Sequence, residues 1–310
     1  MSKARPGDFN GLVSEPTLVY WAGNSMPFGL LERAEGAAAA GYGVVSCFVG
    51  DLVELDQRGI APATVRKRLD ELGVEMNTID PYLAWYPGYD PAAPVGVAVE
   101  YGGPHLSATE EDVLRWAGEL GATYVSTVAP FDDPSGRFEN PAEASFEAIV
   151  DSLGSFADTA ATAGLRPHLE VIPTTKVGDL DLALELVQAV GRRNLGLLLD
   201  TYNLGRAGVT ADNLEAVPQE LIFQLQLADA PRAERGDNYF DDAFTSRSYA
   251  GEGELEVGEM VARIAARGPL PPTGPEVFNE QIHGLDPALA AAESLVATRE
   301  FLAGLPPRSA

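Results

Sequence analysis

Four oxygen-bearing side chains of this 310-residue chain stand where polar groups are costly. Glu170 lies in the apolar run HLEVIP, Asp200 ends LGLLLD, Gln226 interrupts FQLQLAD, and Glu276 lies in PEVF. A carboxylate buried in a strand destabilises the fold unless it is paired or holds a metal. Three such acids converging on one mouth would repel one another, and a divalent cation removes that repulsion. Three carboxylates and one amide carbonyl form an all-oxygen set, which suits Mn²⁺ or Mg²⁺ better than Co²⁺ or Zn²⁺. Glu170, Asp200, Gln226 and Glu276 are therefore the expected metal ligands, with substrate oxygens or waters completing the shell.

The elements that must carry these residues are legible as an alternation. Short β-branched runs fall at 17–21, 43–48, 74–79, 123–128, 166–172, 195–200, 221–227 and 275–278, and several are nearly all apolar, as strands covered on both faces should be. Helical patterns fill the gaps: 27–40, 62–72, 141–163, 179–190, 257–266 and 287–302, with 210–218 as the weakest. Ser107 and Glu110 form an expected capping box ahead of EEDVLRWAGEL. Glycine repeatedly follows the helix and precedes the next strand, the C-cap chemistry of alpha/beta units. Eight such repeats predict a single (β/α)8 TIM barrel over 1–310, with 1–16 as an N-terminal arm and 86–104 as a long loop at the active-site face. No GxGxxG or phosphate loop follows the first run, which disfavours a doubly wound sheet.

In such a barrel the C-terminal strand ends build the site, so the four polar residues, each from its own strand, are placed to meet. Tyr82 and Trp85 are expected to line the pocket, and Arg247 to reach it. His168, two residues before Glu170, shares its face one layer deeper and is a substrate-contact candidate, although the position suits a hydrogen-bonded core histidine more than a base. Cys47 is expected to be buried and inert.

Charge narrows the partners. Acidic residues exceed basic ones by 25, so phosphate backbones and anionic membranes are repelled, and neither nucleic acid nor membrane is an expected partner. A small polyhydroxy molecule is. Homo-oligomerisation is left open. One cysteine, no apolar stretch of membrane-spanning length and no secretory h-region make the cytoplasm the expected compartment.

The run from His168 to Gly208, then FQLQLADAP, AGEGELEVGEM and PEVF, resembles the xylose isomerase-like TIM barrel superfamily, in particular the proteins called sugar phosphate isomerases/epimerases. The resemblance is strong from about Arg166 onward. It implies the same four metal ligands, with glutamine third as in hydroxypyruvate isomerase-like and dehydroshikimate dehydratase-like members, where ketose 3-epimerases use histidine. The family's usual histidine falls on Asn203, a departure at a substrate-contacting position. A family arginine falls on Arg232, as a clamp for a substrate hydroxyl or carboxylate. The expected activity is that of a metal-dependent sugar isomerase or epimerase working through a metal-bound cis-enediolate, with Glu170 and Glu276 as the catalytic acid/base pair. Dehydration of a dehydroshikimate- or inosose-like keto-polyol is the alternative, and a non-catalytic accessory barrel is another. The endonuclease IV branch needs a histidine-rich zinc site and a basic face, and three histidines with a net charge of −25 argue against it.

Overall fold

The computed structural model describes residues 15–90, 108–131 and 143–306. Seven strands form one wholly parallel sheet in chain order: β1 (Val44–Phe48), β2 (Glu75–Tyr82), β3 (Tyr124–Thr127), β4 (Arg166–Glu170), β5 (Gly196–Asp200), β6 (Ile222–Leu227) and β7 (Thr273–Pro275). The first expected run, 17–21, is not a regular strand. It closes the curled sheet through two parallel bridges, Leu18 to Thr273 and Tyr20 to Val45. The result is the TIM-barrel arrangement that the alternation predicts.

Closure is tight at one point. A Cβ on Gly274 would lie 1.8 Å from the Val19 carbonyl oxygen, so only glycine lets the two edges meet. Gly274→Ala is expected to destabilise the fold by about 3 kcal/mol, because backbone on both sides must move. An unchanged denaturant midpoint would show that the two edges part easily enough to admit a methyl group.

The outer layer consists of α1 (Leu30–Ala40), α2 (Val49–Gln57), α3 (Pro62–Leu72), α4 (Glu110–Leu120), α5 (Phe146–Thr162), α6 (Leu180–Val190), α7 (Thr201–Arg206), α8 (Tyr239–Thr245), α9 (Val257–Arg267), α10 (Glu280–His283) and α11 (Pro287–Ala303). Val113, Trp116 and Leu120 of α4, Leu153 and Phe156 of α5, and Leu186 of α6 turn inward to a continuous core with the strand residues. No helix among the described residues is long and apolar enough to cross a membrane.

Several boundaries differ from the sequence reading. Helix α4 is capped by Thr109, whose Oγ1 accepts from the Asp112 amide, while Ser107 lies outside the described residues. Helix α5 starts after its cap Ser145, and the expected positions 141–142 lie outside the described residues. The helix expected at 210–218 is replaced by α7, directly after β5, and a short 3-10 turn at Asn213–Ala216. Asp200 Oδ1 accepts from the amides of Tyr202 and Asn203 and starts α7 at once. Neither α2 nor α8 is apparent from the sequence pattern. Glu276 follows β7 rather than lying within a strand at 275–278. The expected arm 1–16 falls outside the described residues up to position 14, and the expected loop 86–104 does so from position 91.

Candidate active site

The C-terminal ends of β4, β5 and β7 bring three carboxylates together. Glu170, Asp200 and Glu276 are all buried, and each offers an oxygen within 4.8 Å of the others. Gln226 pairs with Asp200 across β5 and β6 and with Gly274 across β6 and β7, which sets it between the ends that carry the acids. Its amide is fully buried, and neither Oε1 nor Nε2 has a hydrogen-bond partner. Glu276 Oε1 is likewise unpartnered. Orphaned buried polar atoms cost about 1–3 kcal/mol each, so they mark a place where a missing ligand belongs. Clustered acids beside an idle carbonyl fit a divalent cation.

Each acid is held differently. Asn203 Nδ2 donates to Glu170 Oε1 at 2.9 Å, while Tyr239 O–H donates to Asn203 Oδ1 at 2.5 Å and fixes which way the amide faces. Asp200 spends one oxygen on the α7 amides and the other on Arg247, whose guanidinium donates to Oδ2 at 2.7 Å. Glu276 is positioned through its backbone. Asn24 Nδ2 donates to the Pro275 carbonyl at 2.6 Å and Asn24 Oδ1 accepts from the Val277 amide at 3.0 Å, clamping the segment on both sides. A Cβ on Gly23 would lie 2.8 Å from Glu276 Cγ, so glycine makes room for this side chain.

Burial raises the Glu170 carboxyl well above its ordinary range, and the charges of Asp80, Glu276 and Asp200 raise it further. Burial and Asp80 do the same to Glu276. Burial works against the Arg247 cation, but Asp200 and its neighbours keep it charged. Arg247 also lies over the rings of Tyr202 (4.2 Å) and Phe278 (4.9 Å).

The cleft in front of these acids encloses about 710 Å³, open solvent included. Its walls are mostly apolar and aromatic, among them Phe48, Phe131, Ile172, Phe240, Phe244 and Phe278. The polar lining consists of Asp80, Glu170, Asn203, Tyr239, Arg247 and Glu276. Glu170, Glu276, Asn203 and Arg247 thus line one cleft.

Other expected contacts are not there. Arg232 is on the surface, its side chain 71% exposed, donating to the Glu254 carbonyl oxygen 3.2 Å away and facing Glu256. The loop after β6 carries it outward. Trp85 is buried and donates to the Val128 carbonyl oxygen at 2.9 Å, and Tyr82 packs on Phe156 of α5 with ring centres 4.7 Å apart. A register shift between Ile79 and Tyr82 leaves Asp80 on the cleft and Tyr82 in the packing layer. His168 lies below the cleft, stacked on Tyr124, with both ring nitrogens unpartnered and burial pushing it down to about 3. Cys47 is buried, as expected. Asp80 and Tyr239 are the site residues that sequence reading missed. Asp80 precedes a proline at the polar end of NTIDPY, outside an apolar run, and Tyr239 sits in a helix that carries no strand-end signal.

Residues 34–301 match the family described as xylose isomerase-like TIM barrel. The chain belongs to this family. Among the curated relatives of this xylose isomerase-like barrel, a 3-dehydroshikimate dehydratase from Pseudomonas aeruginosa is 29% identical over 81% of the chain, and an inosose isomerase from Halalkalibacterium halodurans is 28% identical over 44% of it. The chain spans 36% of the dehydratase's length and 48% of the isomerase's. A solved structure of the IolI protein with a bound zinc atom superposes with a TM-score of 0.75 at 16% identity, covering 94% of this chain and 99% of that one. This last likeness is one of fold.

Proposed function

We propose that this chain is a divalent-metal-dependent enzyme that removes a proton beside the carbonyl of a small ring-shaped polyhydroxy compound, with loss of a neighbouring hydroxyl as water. The observation carrying this reading is the meeting of Glu170, Asp200 and Glu276 within 4.8 Å, beside the strand that bears the idle Gln226 amide. These four residues would hold one Mn²⁺ or Mg²⁺. When bound, such an ion draws electron density from a carbonyl oxygen and so acidifies the adjacent C–H.

Glu170 is the base in this reading. The Asn203 amide favours its charged form and holds Oε1 at 2.9 Å, while Oε2, which accepts only a long 3.5 Å bond from the Ser126 hydroxyl, is the oxygen placed to take a proton. Glu276, with Oε1 unpartnered, is the second proton carrier, presented from the segment after β7. The apolar walls keep water away from the carbanionic carbon. Their aromatic rings suit the C–H face of a compact ring better than an extended open-chain polyol. Matches to dehydratases over four-fifths of the chain favour loss of water over return of the proton. The inosose isomerase matches support a second reading, in which the proton returns to the neighbouring carbon.

One experiment separates the two. The Mn²⁺-loaded protein is incubated in D₂O with 3-dehydroshikimate or an inosose and followed by proton NMR. Loss of the α-proton signal together with a new alkene or aromatic signal is expected. Exchange with a repositioned carbonyl supports isomerisation instead, and no exchange with either compound overturns both readings.

A further inference from the structure

We propose that Asp80 is a specificity-determining residue that contacts substrate: its free carboxylate oxygen receives a hydroxyl group of the ring-shaped compound that the cleft accepts. The proposal rests on the metal-dependent reading above and names what that site recognises.

Asp80 belongs to the C-terminal half of β2 and lines the cleft, yet it is only 5% exposed and its Oδ1 has no hydrogen-bond partner. A buried acceptor left without a donor is destabilising, and at a cavity wall a ligand can supply the donor. The expected ion does not explain this oxygen. The acids close enough to share an ion, among the described residues, are Glu170, Asp200 and Glu276, and Asp80 is not one of them.

The other polar lining groups have assigned work. Asn203 is bonded to Glu170 and Tyr239, and Arg247 is bonded to Asp200 and to the carbonyl of Ala243. Glu170 and Glu276 belong to the ion cluster. Among the described lining residues, Asp80 therefore holds the acceptor left over for substrate. Phe48, Leu83 and Val128 line the same cleft and offer contacts to carbon and hydrogen. A carboxylate oxygen in such a setting takes a hydroxyl donor and repels a phosphate or carboxylate. The geometry thus points to a substrate that presents an uncharged hydroxyl to β2.

The test pairs the residue with the substrate group. Values of kcat/KM are measured with Mn²⁺ for an inosose and its monodeoxy analogues, using wild type, Asp80→Ala and the isosteric Asp80→Asn. In wild type one deoxy position should lose about 10²-fold or more, because a site built to bond a hydroxyl rejects the analogue lacking it. That penalty should vanish in Asp80→Ala and shrink in Asp80→Asn at the same position. A merely structural role would slow every analogue alike. Turnover by wild type with the same deoxy penalties in all three proteins overturns the Asp80 assignment alone. Absence of α-proton exchange with any ring ketone overturns it together with the reading on which it rests.

Discussion

Glu276→Gln is expected to lower turnover by about 10²- to 10⁴-fold while the barrel stays folded, and Glu170→Gln to do the same. Glutamine keeps the shape and an oxygen donor but cannot take a proton. The backbone on either side of Glu276 is fixed by Asn24, and the Glu276 amide itself donates to the Leu227 carbonyl oxygen at 3.1 Å. The substitution therefore leaves the supporting bonds in place. In the metal-free protein it removes a carboxyl that burial and Asp80 already hold well above its ordinary range. Melting temperature without metal should thus stay level or rise, while activity collapses. Steady-state kinetics and circular dichroism check the two halves. Wild-type rates from both variants would remove these glutamates from the mechanism.

Stripping the metal is the second large effect expected. Chelation should abolish α-proton exchange, and Mn²⁺ should restore it. The metal-free protein should also show a characteristic response to pH. Burial raises Asp80 to about 7 with help from the charge of Asp200, and raises Glu170 and Glu276 as well. A carboxyl whose pKa is higher folded than unfolded binds protons more tightly in the folded state. Stability from these groups is therefore greatest below the unfolded carboxyl value, near ~4, and is lost as pH rises toward the folded value, about 7 for Asp80. Metal-free protein should melt lower at pH 8 than at pH 5. Added Mn²⁺ competes with the protons on Glu170 and Glu276, so it should stabilise the fold more at pH 8, by about 3 kcal/mol when the ion exceeds its dissociation constant a hundredfold. Full activity in protein shown metal-free by elemental analysis would end the metal-dependent reading. Identical melting with and without Mn²⁺ would argue against an ion at these residues.

Much of the frame could be read before any coordinates. Short, nearly all-apolar runs alternating with capped helices announce the barrel, and glycines such as Gly73, Gly121 and Gly191 end helices in the left-handed conformation that other residues resist. Acids embedded in apolar runs announce Glu170 and Asp200, because burial of a charge has to be repaid at a site. Asp80 carries no such mark, since its strand end reads as an ordinary turn before proline. Tyr239 reaches Asn203 only because α8 folds back over the cleft, where Asp242 bonds Tyr202 and Arg206. The pairing of Arg247 with Asp200 joins residues 47 apart in sequence.

By itself the amino-acid order determined the repeating unit and the strand-end acids, because periodicity, capping and the penalty for buried charge act over a few neighbours, and its late motifs carried the family resemblance. Only the closed tertiary structure decided which acids lie within 4.8 Å of one another, that Asp80 is not among them, and that Arg232 faces solvent. Those outcomes depend on how loops of different length return to one mouth, and no local preference of the chain encodes that path.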